Sequence, residues 1–306
     1  MAKTKNAPRM SARELAQQKA MICDGLSFAA AEAYKLLRTN LLFSLPEKPC
    51  RIIGVTSSVR GEGKSTTSVN LAYTFAQSGK RVLLIDADMR LPSVASKLNV
   101  PSKPGLSNLL AGLSNEKSCL MISSYFDNWY ILPAGDIPPN PSELLGSERM
   151  HVLLDRYVRY FDFIILDLPP VNIVTDALVI SKWTDGLILA VRQNYTERKA
   201  LNACMYQVKK LGAKFLGFVM TDAEVGEGSY KRYGKYGHSY GYGYGYGYGD
   251  TSARQSSSRK DEAFMNATIE HKKPSSQTEE NPEQNEESQA ADQGSEVPSG
   301  DVPDEK

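Results

Sequence analysis

The sequence predicts an α/β fold: a doubly wound, mostly parallel sheet with helices on both faces. Two observations predict it. Short apolar segments rich in β-branched residues alternate with helical patterns as far as about Asp222, and the connections between them are short. Several of these apolar segments end in acidic residues, at the place where open parallel sheets hold their ligands.

The first convincing helix precedes the first strand. Residues 1–25 are predicted to be a flexible segment, and Ser27 then caps a helix that continues to about Phe43. Three charged residues of this helix, each three residues apart, are predicted to form one charged ridge: Glu32, Lys35 and Arg38. From spacing alone, this ridge is best interpreted as a solvated helix face with ordinary ion pairs.

The most informative stretch covers residues 51–67, which read RIIGVTSSVRGEGKSTT. A buried strand, a Gly/Ser turn, a Lys-Ser-Thr sequence and the start of a helix are the parts of a phosphate-binding loop. Glycines allow backbone N–H groups to surround a phosphate, and the positive end of the helix dipole faces the anion. The stretch departs from G-x-x-x-x-G-K-[ST] at Ser58, where glycine is usual. It still favours a phosphate loop over an ordinary Gly/Ser turn.

This motif predicts the fold class of the P-loop NTPases, with ATP and Mg²⁺ as ligands. Lys64 supplies a positive charge to the terminal phosphates, and Ser65 supplies a hydroxyl to Mg²⁺. The residues predicted to bind the nucleotide are Gly61, Glu62, Gly63, Lys64, Ser65 and Thr66.

Two later strands end in carboxylates. The strand Arg81–Ile85 leads into Asp86 and Asp88, and the strand that begins at Phe163 closes on Asp167. The carboxyl ends of neighbouring parallel strands converge, so these acids are expected beside the phosphate loop. Together they predict a phosphoryl-transfer site, in which carboxylates help to hold Mg²⁺ and orient or deprotonate the attacking oxygen. That oxygen belongs either to water, in an ATPase, or to a hydroxyl group, in a kinase, and the core does not decide between them.

The remaining core elements continue the alternation of strands and helices. Ser142 is expected to cap a short helix after the stiff turn Pro138–Pro141. The other predicted elements are helices at 106–113, 147–160, 177–182 and 197–211, and strands at 129–133, 187–192 and 215–220.

The last part of the chain has a composition that does not build a core. Residues 26–225 are assigned to the P-loop domain, residues 226–250 to a Tyr/Gly-rich cluster and residues 251–306 to an acidic tail. The cluster and the tail are predicted to be disordered, because alternating glycines remove the packing of a strand and polar residues bury nothing. The cluster contains eight tyrosines: Tyr230, Tyr233, Tyr236, Tyr240, Tyr242, Tyr244, Tyr246 and Tyr248.

Composition disfavours several classes of protein. The cysteines are scattered without a C-x-x-C pair, which disfavours a zinc or iron–sulfur site. No apolar run reaches the ~18–20 residues of a membrane helix, and basic residues interrupt the N-terminus, which disfavours a signal peptide. The net charge of +1 comes without a long basic patch, so nucleic acid is not an expected partner.

In its motifs, the sequence resembles the bacterial protein-tyrosine kinases, the cytoplasmic catalytic subunits that accompany capsule and exopolysaccharide synthesis in Gram-positive bacteria. The resemblance covers about residues 25–250. It rests on the tyrosine cluster and on the segments SSVRGEGKST at 57–66, LIDADMR at 84–90, ILDLPP at 165–170 and EAYKLLRTN at 32–40.

The resemblance implies an ATP-dependent protein-tyrosine kinase that phosphorylates its own tyrosine cluster and regulates capsular or exopolysaccharide synthesis. It also implies a homo-oligomeric ring and protein tyrosine substrates. A transmembrane activator of the chain-length-regulator type would hold this cytoplasmic protein at the inner face of the cell membrane.

The resemblance also implies roles for individual residues. Lys64, Asp86 and Asp88 are the implied catalytic residues. Asp86 would act as the base or beside Mg²⁺, and Asp88 would orient the acceptor and the metal. Ser65, Asp86 and Asp167 would hold Mg²⁺, with Asp167 acting through water. The segment EAYKLLRTN resembles the ring-assembly helix of the family, so its charged residues are implied in oligomerisation: Glu32, Lys35 and Arg38.

Five positions depart from the family pattern. Arg60 stands where proline is common, and Leu168 stands where threonine is usual. Lys35 replaces an arginine, so the subunit contact loses a bidentate fork. Thr221 stands near the usual base-contacting asparagine, which leaves adenine recognition open. Val59 occupies the position of the signature lysine of partition and division-site ATPases, which disfavours the alternative of a switch ATPase without kinase activity.

Overall fold

A computed structural model describes residues 22–223 of the chain. The first 21 residues, the predicted tyrosine cluster and the predicted acidic tail lie outside the described residues. Within residues 22–223, no helix combines the length and the apolar character needed to cross a lipid bilayer.

A seven-stranded sheet organises the described residues. Its strands lie in the order β3-β4-β2-β5-β1-β6-β7, and every neighbouring pair is parallel except β3 with β4. This confirms the predicted doubly wound, mostly parallel sheet. The strands are β1 (Arg51–Ser57), β2 (Val82–Asp86), β3 (Met121–Ile122), β4 (Trp129–Leu132), β5 (Phe163–Asp167), β6 (Gly186–Arg192) and β7 (Phe215–Thr221).

Helices connect the strands along the chain. Most of the predicted helices are present with boundaries shifted by a few residues, and two short helices (α3 and α5) and strand β3 are additional. The α-helices are α1 (Phe28–Ser44), α2 (Lys64–Gln77), α3 (Val94–Leu98), α4 (Leu106–Leu110), α5 (Glu116–Cys119), α6 (Pro141–Gly146), α7 (Glu148–Tyr157), α8 (Asp176–Ile180) and α9 (Arg198–Lys210).

Helices cover both faces of the sheet. Successive residues of a buried strand point to opposite sides, so each face presents apolar side chains to the helices. On one face, Phe75 of α2 stacks on Phe163 of β5 with ring centroids 3.8 Å apart. On the other face, Leu154 of α7 and Val208 of α9 belong to the same buried cluster as Ile164 of β5. Strand β5 therefore lies in the middle of both apolar cores.

The central strands place the predicted carboxylates at one edge of the sheet. Strand β5 pairs with β2 on one side and with β1 on the other. In these registers, Asp167 lies opposite both Asp86 and Val55. Strand β1 leads directly into the phosphate loop, so the loop and the acids meet at the carboxyl ends of the strands, as expected.

The structure differs from the predicted flexible segment at its end. Ile22 and Cys23 are buried, and a 3-10 turn spans Cys23–Gly25. The N–H of Cys23 donates to Oδ1 of Asn70 in α2 at 2.8 Å. Two apolar side chains and one buried hydrogen bond therefore fix the chain before residue 25.

The prediction that Ser142 caps a helix is wrong. Helix α6 begins at Pro141 with Asn140 as its N-cap residue, and Ser142 is already inside the first turn. The Oγ of Ser142 donates to Oδ1 of the buried Asp176 instead. Proline at the first helical position fixes the start of the helix, because its missing N–H would have no partner there anyway.

The predicted charged ridge on α1 is also not continuous. Nζ of Lys35 pairs with Oε1 of Glu32 at 2.7 Å on the surface, whereas Nη1 of Arg38 donates to the carbonyl of Thr74 in α2 at 2.6 Å. Three residues of an α-helix turn about 300° around its axis, which is about 60° short of a full circle. After two such steps, Glu32 and Arg38 point about 120° apart. The ridge is therefore an exposed ion pair plus an arginine turned toward the neighbouring helix.

Candidate phosphoryl-transfer site

The phosphate loop runs from the end of β1 to the start of α2. Gly63 is the N-cap residue of α2 and has a φ of 84°, and Gly61 has a φ of 80°. Both values lie in the left-handed region that favours glycine. The helix that begins at Lys64 points its free N–H groups at the loop, which is the geometry of an anion site.

Lys64 stands at the centre of the predicted constellation. Its Nζ lies 2.8 Å from Oδ2 of Asp88, 3.7 Å from Oδ2 of Asp167 and 3.1 Å from Oγ of Ser65. Burial alone would lower the pKa of Lys64, but the charges of Asp167 and Asp88 outweigh burial and raise it. Lys64 therefore carries its positive charge among carboxylates at the mouth of the loop.

Asp86 is a buried carboxylate with a perturbed proton affinity. Its Oδ2 accepts hydrogen bonds from the N–H groups of Ser93 and Val94, both at 3.0 Å. Burial, followed by the charge of Asp167, raises the pKa of Asp86 to about 8. This pKa is close to neutral pH, which is where the pKa of a group that exchanges protons during a reaction is most useful.

Asp167 and Asp88 complete the acidic side of the site. The Asp167 side chain is fully buried, its Oδ1 accepts a hydrogen bond from Oγ of Ser68 at 3.1 Å, and burial raises its pKa against the opposing charge of Lys64. Oδ1 of Asp88 accepts from the N–H of Leu91 at 3.1 Å. The structure therefore brings together Lys64, Ser65 and all three predicted acids.

The donor set fits Mg²⁺. Oδ1 of Asp86 is buried and accepts no hydrogen bond among the described residues, and the buried Oδ2 of Asp167 faces the ammonium group of Lys64 at 3.7 Å, beyond hydrogen-bond distance. A buried carboxylate oxygen without a donor is costly, and a hard cation with oxygen ligands compensates that cost. The hydroxyl of Ser65 beside Lys64 adds the oxygen ligand that phosphate loops commonly supply.

Glu62 differs from the other residues predicted to bind the nucleotide. Its side chain is fully buried, and its carboxylate accepts from Oγ of Ser58 at 2.8 and 3.0 Å and from the N–H of Val59 at 2.8 Å. Only the backbone of Glu62 is left to face a nucleotide. Its carboxylate stabilises the turn that Ser58 and Val59 begin.

Two residues near the site are not among the predicted site residues. Nε and Nη2 of Arg90 donate to the two carboxylate oxygens of Asp176 at 2.9 and 3.1 Å, and Nη2 also donates to Ser142 at 3.2 Å. This fork ties the loop that carries Asp88 to helices α6 and α8. Lys97 on α3 is half-buried, and burial lowers its pKa while Asp167 opposes that effect. The arginine two residues after Asp88 was visible in the sequence, but its partners are distant in the chain.

Comparison with known proteins gives a consistent result. A family model described as an AAA domain matches residues 50–216. The tyrosine-protein kinase YwqD of Bacillus subtilis is 35% identical over 209 residues, which cover 68% of this chain and 86% of that protein. The tyrosine-protein kinase CpsD of Streptococcus agalactiae is 33% identical over 207 residues, which cover 67% of this chain and 89% of that protein.

A solved structure agrees with these relatives. The kinase domain of the Escherichia coli tyrosine kinase ETK superposes with a TM-score of 0.64 at 29% identity. The match covers 81% of this chain and 88% of that domain. The similarity thus extends through the sheet and the phosphate loop rather than being confined to one motif.

Proposed function

The chain belongs to the bacterial protein-tyrosine kinases of the Gram-positive type, and from this premise we propose that it phosphorylates its own C-terminal tyrosine cluster and thereby regulates capsular or exopolysaccharide synthesis. The observation that carries the proposal is the convergence of Lys64, Asp86, Asp88 and Asp167 at one end of the sheet. The alternative of a switch ATPase without kinase activity is not adopted, because the similar proteins over two thirds of the chain are named tyrosine-protein kinases.

The proposed reaction transfers the γ-phosphoryl group of ATP to a tyrosine oxygen. The bond from that oxygen to phosphorus forms, the bond from phosphorus to the bridging oxygen breaks, and ADP leaves with the bonding electrons. Asp86 acts either as the base, which takes the tyrosine proton when its carboxyl group is ionised, or as a group beside Mg²⁺. Lys64 neutralises negative charge on the transferred group, and Asp88 orients both Lys64 and the acceptor.

Mg²⁺ would be held by Ser65, Asp86 and Asp167, with Asp167 acting through water, and it would supply positive charge to the phosphates of the nucleotide. The buried oxygens of the two aspartates point to this assignment. Because one carboxylate oxygen of Asp86 is bound to two backbone N–H groups, its second oxygen is the one available for the metal or the proton.

The position of β7 supports the tyrosine cluster as substrate. Strand β7 ends at Thr221, whose Oγ1 donates to the carbonyl of Glu62 in the phosphate loop at 2.8 Å. The chain therefore leaves the described fold beside the nucleotide site. A random coil with the length of segment 229–249, which the sequence predicts to be disordered, would span about 25 Å, and we propose that this reach serves a neighbouring subunit.

A face of α1 supports assembly into a ring. Phe28, Leu36 and Phe43 are 77%, 61% and 87% exposed. At about 100° per residue they lie on the same side of the helix as the Glu32–Lys35 ion pair. We propose that this mixed apolar and charged face forms the contact between subunits, with Arg38 fixing α1 against α2.

Transfer between subunits gives a direct test. A Lys64→Met subunit with an intact cluster is mixed with an active subunit whose eight cluster tyrosines are phenylalanine. We expect label from γ-labelled ATP on the Lys64→Met chain, because each subunit presents its cluster to a neighbour. The mixture is compared with the same pair after the face of α1 is disrupted by Phe43→Glu, which should reduce the transfer. Strong labelling of an intact active chain diluted to monomer, with none on the Lys64→Met chain, would show transfer within one chain instead.

Membrane association is proposed to depend on a partner. The family resemblance suggests a transmembrane activator of the chain-length-regulator type, and the protein would then be cytoplasmic and peripheral at the inner face of the membrane. We expect fractionation of cells that lack the activator to release the kinase into the soluble fraction, while re-expression of the activator returns it. Kinase that stays in the membrane fraction without the activator would contradict the proposal.

A further inference from the structure

Three successive carbonyls of the phosphate loop are each held by a side chain from the ends of β6 and β7. Oη of Tyr195 donates to the carbonyl of Arg60 at 3.1 Å, and Nη1 of Arg192 lies 3.4 Å from the carbonyl of Gly61. Oγ1 of Thr221 donates to the carbonyl of Glu62 at 2.8 Å. We call Arg192, Tyr195, Thr196 and Thr221 the β6–β7 clamp.

The fourth member of the clamp acts on a side chain of the loop. Oγ1 of Thr196 donates to Oε1 of Glu62, whose side chain is completely buried, and accepts from the N–H of Arg192 at 2.9 Å. A buried carboxylate is stable only when its oxygens are satisfied by donors. Thr196 therefore joins the inside of the phosphate loop to the turn that follows β6.

The clamp also packs against the glycines of the loop. A Cβ added to Gly61 would lie 3.2 Å from Oη of Tyr195, and one added to Gly63 would lie 3.0 Å from Cγ2 of Thr221. The two side chains thus touch the loop at the two positions where it takes a left-handed backbone conformation. No space is left on this side for the loop to move outward without displacing them.

We propose that Thr196 and Thr221 are positioning residues for phosphoryl transfer, which preset the phosphate loop from the side opposite the nucleotide. In a trans peptide unit the carbonyl and the N–H point in opposite directions. Carbonyls that are hydrogen-bonded to the clamp therefore hold their peptide units in one orientation, with the following N–H groups turned away from the clamp and free to bind phosphate. Both threonines act through Glu62: Thr196 bonds to its carboxylate and Thr221 to its carbonyl.

The test compares isosteric variants that remove one hydroxyl. Thr196→Val and Thr221→Val keep the side-chain shape and lose the donor, whereas Thr196→Ser and Thr221→Ser keep the donor. Thr184→Val is the matched control, because Oγ1 of Thr184 also bonds to a backbone carbonyl, that of Ser181, at the opposite end of β6. The measurements are the Kd and stoichiometry of Mg-ADP binding by calorimetry, together with the Tm of the protein without nucleotide.

We expect each valine variant to raise the Kd for Mg-ADP about tenfold at unchanged stoichiometry. A loop that also adopts other conformations binds the nucleotide only in the fraction of molecules with the competent conformation, and the Kd rises accordingly. The serine variants and Thr184→Val should stay within about twofold of the parent. A lower stoichiometry at unchanged Kd would assign the threonines a merely structural role and overturn the proposal, as would an unchanged Kd in both valine variants.

A double-variant cycle separates the clamp from general loosening of the fold. If Thr196 acts through Glu62, then Glu62→Gln combined with Thr196→Val should weaken Mg-ADP binding no more than the stronger single variant. Additive losses would show that Thr196 acts by another route and would contradict the proposed connection.

Discussion

Lys64→Met is expected to abolish tyrosine phosphorylation, with a loss of about a thousandfold or more. The substitution removes the ammonium group that lies between Asp88 and Asp167, so the transferred phosphoryl group loses the positive side chain that helps to neutralise its charge. The side chain faces the carboxylates at the carboxyl edge of the sheet rather than an apolar core, so the fold should survive.

Incorporation of label from γ-labelled ATP into protein tyrosine measures the effect. Lys80→Met is the matched control, because Lys80 is an exposed lysine in the turn between α2 and β2. Circular dichroism and Tm of both variants test whether the fold is retained. Near-normal labelling by a folded Lys64→Met variant would rule out the assignment of the site.

Asp86→Asn is expected to lose orders of magnitude in rate and yet to stabilise the protein at alkaline pH. Asparagine keeps an oxygen for the N–H groups of Ser93 and Val94 but provides neither a base nor a charge for Mg²⁺. Asp167→Asn should show a comparable loss of rate, because it removes the second buried carboxylate oxygen from the same site.

The stability part of this prediction follows from the pKa of Asp86, which burial and Asp167 raise from 3.8 to about 8. Between these two values the folded protein holds a proton that the unfolded chain has released, so stability falls as pH rises. The contribution is complete below about pH 4 and is lost as pH passes through about 8. Asparagine does not titrate, so the stability of the variant does not fall with pH for this reason.

Thermal unfolding with a chelator and without nucleotide measures the difference in Tm between the parent and Asp86→Asn. The variant should unfold at a higher temperature than the parent above pH 8, and the difference should shrink toward pH 4. A variant that is less stable at every pH would mean that burial does not penalise the ionised carboxylate of Asp86. Loss of activity in a stabilised protein, in contrast, is not explained by unfolding.

The sequence predicts the sheet and the acids because their signals are local. A strand that is rich in β-branched residues and ends in aspartate indicates that the strand is buried and that the aspartate lies at the carboxyl edge of the sheet. Parallel topology then brings such strand ends together. The phosphate loop is equally local, since the glycines and the lysine lie within a few residues of the helix that they begin. The convergence of Asp86 with Asp167 follows from these rules and from the register of β2 with β5.

The wrong prediction for Ser142 and the missing contact of Thr196 both depend on residues that are distant in the chain. Ser142 looks like a cap in its own segment, but Asp176 competes for its hydroxyl and Asn140 takes the cap position. The hydrogen bond between Thr196 and Glu62 joins residues 134 positions apart, and no pattern in either segment signals it. The ridge on α1 fails for a geometric reason, because a spacing of three residues drifts around the helix.

The place of β5 between β2 and β1 has a consequence for synthesis of the protein. Strands β1 and β2 do not pair with each other, and each reaches the centre of the sheet only through β5, whose Phe163 lies opposite Arg51 and Val82. Chains emerge from the ribosome N-terminus first, and pairings of such long sequence separation form late. The strand pairing that joins the phosphate loop to Asp86 is therefore incomplete until residue 167 has left the ribosome. A nascent chain without its central strand also lacks Asp167, so we expect it to have no kinase activity until β5 has joined the sheet.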